Sequence, residues 1–186
     1  AYTGFMGPVA TTGAPVVNFT LGLKPTKTVM AAVLKVDKHR TFPKYASKTS
    51  EKWYKKNVAA FQNSFPRHVS MFHGCYVNYN YPQLGKDLVS VMNALGYGVH
   101  LLENEKCCGT ALISNGMIDQ AKRNAANNIE SMRKSVYERQ MPVISTSSSC
   151  TFTMRDEYPH LLGVKNAAVR DYIELATRFI YKLIDQ

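Results

Sequence analysis

The chain has 186 residues, 45% of them apolar, and a formal net charge of +10. That is enough apolar material for one substantial core plus an appendage, and four cysteines in this length do not make a disulfide-stapled miniprotein. No apolar run approaches the roughly 18 to 20 residues that span a bilayer, so membrane contact is expected to be peripheral or through a partner.

The charge is unevenly placed. Residues 1–67 hold eleven Lys or Arg against Asp37 and Glu51, giving +9, whereas residues 68–186 hold twelve basic and eleven acidic residues, giving +1. The opening Ala1-Tyr2-Thr3-Gly4 contains neither an initiator methionine nor a basic-apolar leader, which suggests a piece of a longer polypeptide. Cysteines without a leader point to a reducing compartment, where thiols serve as ligands or reactive groups.

Residues 1–23 are rich in Gly, Pro and Thr and read as loop with at most short helix. Pro25-Thr26 is expected to open a helix through Met30, Ala31, Val33 and Leu34, ending before Thr41-Phe42-Pro43. A second helix is expected from Ser50 through Trp53, Val58, Ala59 and Phe61. Two readings of this basic segment stand side by side. Either it packs its aromatic side chains on the following domain and leaves its lysines in water, or it forms a docking surface for an anionic partner. No zinc finger, RNA-recognition signature or helix-turn-helix pattern is present, so nucleic acid is not expected as a partner.

Three short apolar runs then each lead into a cysteine-bearing loop. Val69-Ser70-Met71-Phe72 precedes His73-Gly74-Cys75, Val99-His100-Leu101-Leu102 precedes Cys107-Cys108-Gly109, and Pro142-Val143-Ile144 precedes the serine run ending in Cys150. Such runs, separated by helical stretches, read as buried parallel strands of a βαβ architecture. The helical stretches are Leu84, Leu88, Val91, Met92 and Leu95 with Gly96 as a cap, and Ile118, Ala121, Ala125, Ile129, Met132 and Val136. A short helical stretch is expected over Thr151–Glu157. Asn166 reads as the N-cap of a last helix bearing Val169, Tyr172, Ile173, Ala176, Phe179, Ile180 and Leu183, with no further strand. The predicted fold is α/β, a Rossmann-like three-layer domain with a short parallel sheet over residues 67–186, preceded by a basic, partly helical segment over residues 1–66.

Parallel strands place their carboxyl ends on one sheet edge, where open α/β sheets bind ligands. All four thiols should therefore converge although Cys75 and Cys150 are 75 positions apart. Thiolates are soft anionic donors for iron or zinc. Gly74 and Gly109 allow the positive φ a tight metal loop requires, and Cys150 falls where a strand turns into a helix, whose free amides favour a thiolate. The spacing is neither that of a bacterial ferredoxin nor that of paired Cys-x-x-Cys zinc knuckles. By spacing alone a metal or cluster site stands beside free buried thiols as an open alternative. A Cys75 nucleophile with His73 lacks an evident orienting carboxylate, and a Cys107-Cys108 disulfide would distort the peptide. His73 is read as a packed or hydrogen-bonded strand residue, with a supporting or ligand role as the alternative.

One Cys, a Cys-Cys-Gly, and Ser147-Ser148-Ser149-Cys150 resembles the cysteine-rich CCG domain, whose pattern ends in Cys-x-x-Cys and which occurs in the B subunit of heterodisulfide reductase and in lactate-utilisation and glycolate-oxidase iron-sulfur subunits. Phe72-His73-Gly74-Cys75-Tyr76-Val77-Asn78-Tyr79-Asn80, Pro82-Gln83-Leu84-Gly85-Lys86-Asp87-Leu88, Cys150-Thr151-Phe152 and Arg155-Asp156-Glu157-Tyr158-Pro159 are similar to the C-subunit family of bacterial anaerobic glycerol-3-phosphate dehydrogenases. The resemblance, which extends to Arg40-Thr41-Phe42-Pro43-Lys44-Tyr45, implies a middle fragment. It also implies an electron-transfer and membrane-docking role at the cytoplasmic face of the inner membrane, as a non-catalytic subunit. The implied partners are the FAD-dependent catalytic A and B subunits, the anionic membrane surface and menaquinone. It implies a 4Fe-4S type cluster on Cys75, Cys107, Cys108 and Cys150, with Ser147 at the position of a fifth ligand. A serine hydroxyl is far less acidic than a thiol, so a noncubane cluster, a four-thiolate cubane, zinc and an empty site all stay open. The alternative function is a non-redox assembly or anchoring module with structural zinc or metal-free cysteines.

Overall fold

The computed structural model describes residues 3–35 and 37–185; Ala1, Tyr2, Val36 and Gln186 lie outside them. The segment expected to be loop with at most short helix is instead helical nearly throughout, as α1 (Thr3–Thr12) and α2 (Ala14–Gly22). Pro15 takes the first turn of α2, where its missing N–H is no loss. Helix α3 (Lys24–Leu34) likewise begins with proline in its first turn and ends at Lys35 with φ 54°. A stretch of turns and irregular backbone leads to α4 (Ser50–Asn57), capped by the Thr49 side chain, and to a 3-10 turn over Ala59–Ser64.

The sheet domain then runs β1 (Arg67–Phe72), α5 (Gly74–Tyr79), α6 (Pro82–Ala94) and β2 (Tyr97–Leu101). It continues through α7 (Thr110–Ile113), α8 (Ile118–Arg133), β3 (Val143–Ser145), α9 (Ser148–Phe152) and α10 (Tyr158–His160). It closes with β4 (Ile173–Leu175) and α11 (Ala176–Ile184). The strand order is β2-β1-β3-β4, all parallel, with Val69 opposite Val99 and Met71 opposite Ile144. The α/β reading holds.

Alternation along the strands divides the core in two. Val69, Met71, Val99 and Ile144 pack with α4, α6 and α11, whereas Phe72, Val143 and Ile173 pack with Ala121, Ala125, Ile129 and Met132 of α8. Helices therefore cover both faces of the sheet. In α6 the buried stripe is Leu88, Val89 and Met92, while Leu84 and Val91 are exposed.

The last region departs from expectation. Residues 173–175 form a fourth strand on the β3 edge, and the final helix begins only at Ala176. Asn166 is no N-cap for it. Its side chain, 3% exposed, donates to the carbonyls of Met154 at 2.6 Å and Arg155 at 2.8 Å, satisfying a π-helical turn over Thr153–Glu157. Asn is as good a partner for orphan carbonyls as it is a cap for amides, and helical spacing does not tell these apart.

Candidate metal centre

The chain runs from β1 to β2 in one direction across the sheet and from β2 to β3 in the other. The carboxyl ends of β1 and β3 thus flank the topological switch point where such sheets bind ligands. Cys75 follows β1 as the second residue of α5, Cys107 and Cys108 follow β2, and Cys150 follows β3 in α9. Gly74 and Gly109 bend these loops with φ of 72° and 101°.

The four thiols are brought together, and none is in a disulfide. Cys75 Sγ lies 3.8 Å from Cys107 Sγ, and Cys108 donates to Cys150 Sγ at 3.2 Å. Cys107 and Cys108 link the two pairs into one run. The Cys107 thiol is held well below the usual range by the neighbouring Cys108 and Cys75 thiols, and that of Cys150 is lowered by its bond from Cys108. The Cys75 thiol is raised by its contact with Cys107, and the Cys108 thiol by its neighbours Cys107 and Cys150, with burial adding to both. A thiolate braced by neighbouring S–H groups is the arrangement that a soft metal replaces.

Ser147 does not join the sulfurs as a fifth member of this run. It is the N-cap of α9, its hydroxyl accepting from the Cys150 N–H at 3.4 Å and lying 2.9 Å from Ser149 Oγ. It fixes the backbone that presents Cys150.

Several residues of the centre were not visible in the sequence. Glu105, two residues before Cys107, accepts from the backbone N–H groups of His73 at 3.0 Å and Gly74 at 2.8 Å. It ties the Cys75 loop to the Cys107 loop. His73 Nδ1 stands 2.7 Å from Glu105 Oε1, within ion-pair reach though out of line for a hydrogen bond. Burial pulls the His73 pKa down, and the adjacent Glu105 carboxylate outweighs it, so the net shift is upward. Asn128, fully buried in α8, clamps the N–H and C=O of Lys106 at 2.8 and 3.0 Å, and Asn124 donates to the Cys107 carbonyl at 3.1 Å. Asn124 and Asn128 sit one helical turn apart, the only local signal that they share a face.

A cleft of about 920 Å³ opens beside the thiols, lined by Cys75, Cys107, His73 and Glu105 on one side and by Gln120 and Asn124 of α8 on the other. Cys108 and Cys150 are buried. Among the described residues no three His, Cys, Asp or Glu side chains already surround a single ion position; the sulfurs stand as two close pairs. In donor chemistry they fit: four soft ligands on three independent loops, with open space before two of them, suit an iron-sulfur cluster or zinc once the pairs rotate apart.

The comparisons with known proteins agree with this chemistry. Residues 69–155 match the family model of the cysteine-rich domain CCG. The chain is 51% identical over all 186 residues to the C subunit of the anaerobic glycerol-3-phosphate dehydrogenase of Escherichia coli, covering 47% of that protein. It is 38% identical over 93 residues to lactate utilization protein A of Bacillus subtilis, half of this chain and 37% of the other. An uncharacterized iron-sulfur protein of Methanocaldococcus jannaschii is 29% identical over 124 residues, 66% of this chain and 24% of that protein. The chain thus spans about half or less of the length of the curated relatives it matches. No solved structure matches it.

Proposed function

We propose, from the premise that this chain carries the CCG cysteine-rich domain and aligns end to end with part of the C subunit of a dehydrogenase, that it is the thiol-bearing portion of an electron-transfer subunit. In this reading Cys75, Cys107, Cys108 and Cys150 hold a 4Fe-4S type cluster. The observation that carries it is the convergence of all four cysteines at the carboxyl ends of three parallel strands, beside an open cleft.

Such a cluster supplies one-electron transfer at a potential set by its ligands and their hydrogen bonds. The chain's own residues hold the site: Glu105 joins the first two loops, Asn124 and Asn128 anchor the second to α8, and Ser147 presents Cys150. Electrons would pass from the FAD-dependent A and B subunits of the same dehydrogenase toward menaquinone. The basic first third of the chain would dock the assembly on the anionic cytoplasmic face of the inner membrane. No described helix is long and apolar enough to cross a membrane.

A second reading has one observation behind it. The 3.8 Å between Cys75 and Cys107 Sγ is about the sulfur-sulfur edge of a tetrahedral zinc site with Zn–S bonds near 2.3 Å. Iron, acid-labile sulfide and zinc measured on anaerobically purified protein separate the two. About four iron and four sulfide per chain, lost in Cys108→Ala, support the cluster. Zinc alone, or no metal, removes the redox role from this domain.

A further inference from the structure

Behind Cys108 runs a chain of contacts that the cluster reading leaves unused. Cys108 Sγ lies 3.2 Å from Thr110 Oγ1, which lies 2.8 Å from Thr153 Oγ1, and Thr153 donates to Glu157 Oε2. Cys108 and Thr110 flank Gly109 at the start of α7, whereas Thr153 and Glu157 begin and end the π-helical turn that continues from α9. The chain therefore joins the second cysteine loop to the element that carries Cys150. Thr153 is 1% exposed and Cys108 4%, while Thr110 and Glu157 are partly exposed.

Counting protons gives the chain a direction. Each threonine hydroxyl donates once, and an ionised carboxylate only accepts. Thr153 gives its proton to Glu157, so Thr110 must give its own to Thr153. The one Cys108 proton goes to Cys150 Sγ, so while Thr110 donates to Thr153 the 3.2 Å contact between Thr110 and Cys108 has no proton in it. A metal-bound Cys108 sulfur has no proton to give and requires Thr110 to point the other way, so Glu157 and the ligated sulfur compete for the same two hydroxyl protons.

We propose that Glu157, acting through Thr153 and Thr110, sets how strongly the ligated Cys108 sulfur is hydrogen-bonded and thereby tunes the reduction potential of the centre. This rests on the cluster reading above. Hydrogen bonds to ligand sulfur favour the more negative, reduced state. An ionised Glu157 draws the hydroxyls away from Cys108, and a donor in its place turns them toward it. Thr110, Thr153 and Glu157 are positioning residues.

The test is a redox titration of the full-length, cluster-loaded protein, following the paramagnetic signal that disappears in Cys108→Ala. Glu157→Gln removes the anionic acceptor that holds the hydroxyls, so the midpoint should move to more positive potential. Thr110→Val added to Glu157→Gln should return it toward more negative potential, and Thr110→Ser added in the same way should not. Iron content equal to wild type in each variant shows that the site has folded. A midpoint that Thr110→Val leaves unmoved in the Glu157→Gln background, or a negative shift in Glu157→Gln itself, overturns the inference and leaves the cluster reading intact. Absence of any Cys108-dependent cluster in the wild-type protein overturns both.

Discussion

Glu105 shows how one side chain can assemble a site without touching a sulfur. Its carboxylate satisfies two backbone N–H groups at the start of α5 and lies beside the His73 imidazole, with only 6% of its side chain exposed. Replacing it with alanine leaves two buried donors without partners, each costing roughly 1–3 kcal/mol. Glu105→Ala should therefore lower stability by on the order of 3 kcal/mol in urea unfolding, and Glu105→Gln by less, because the amide oxygen still accepts. Nothing in the sequence marks this glutamate. The groups it serves lie 31 and 32 positions earlier, and they meet it only because β1 and β2 are adjacent and parallel. The cysteines were legible for the opposite reason: each follows directly on an apolar run, so strand recognition alone places them at one sheet edge. Ser147 was legible as a position and not as a role, since a serine before a helix is first of all a cap.

At the scale of elements, the basic N-terminal segment seals an edge of the sheet. Strand β2 is outermost, and an open edge strand invites association. Here the Val99 N–H donates to Gln62 Oε1 at 2.8 Å, and the Val99 carbonyl accepts from Tyr54 OH at 2.6 Å. Gln62 is fully buried and is held in turn by Asn93 at 2.9 Å. The approach is so close that a Cβ on Gly98 would stand 2.2 Å from the Gln62 carbonyl oxygen, so Gly98→Ala must displace backbone and should cost several kcal/mol. Tyr54→Phe leaves the Val99 carbonyl unpaired and should cost about 1–2 kcal/mol.

The same tyrosine gives a pH dependence. Burial pushes its pKa from 10.0 to about 12, so its contribution is complete below pH 10 and is lost as pH rises from there through about 12. Thermal unfolding of the wild-type chain should fall over that window more steeply than that of Tyr54→Phe. The sealing role follows from tertiary packing that helix periodicity does not carry. Packing of this segment's aromatic side chains on the domain was one of the two readings its sequence left open. The fourth strand escaped because residues 173–175 continue a helical apolar pattern that α11 takes up, and three residues are too few to show a period of two.

Over the whole molecule the two ends of the chain's chemistry are kept apart. The thiols sit in the sheet domain, where the charge nearly balances, while +9 of the +10 lies in residues 1–67. Helices α1 and α2 contain no charged residue, yet Met6, Val9, Val16 and Phe19 are more than half exposed, as are Val29 and Val33 on α3. Lys24, Lys27, Lys35, Lys38 and Arg40 follow directly, with Asp37 the one acidic residue among the first fifty. Apolar side chains that enter the interface, flanked by lysines that meet anionic headgroups at about 1 kcal/mol each near the surface, give the proposed membrane docking a definite form. The protein should float with vesicles containing anionic lipid, dissociate when salt shortens the Debye length to about 3 Å at 1 M, and ignore purely zwitterionic vesicles. Val16→Glu with Phe19→Glu should abolish flotation while leaving iron content unchanged, because neither side chain lines the cleft beside the cysteines. Failure to float with anionic vesicles would assign this face to another subunit and leave membrane attachment to parts of the relatives' length that this chain does not span.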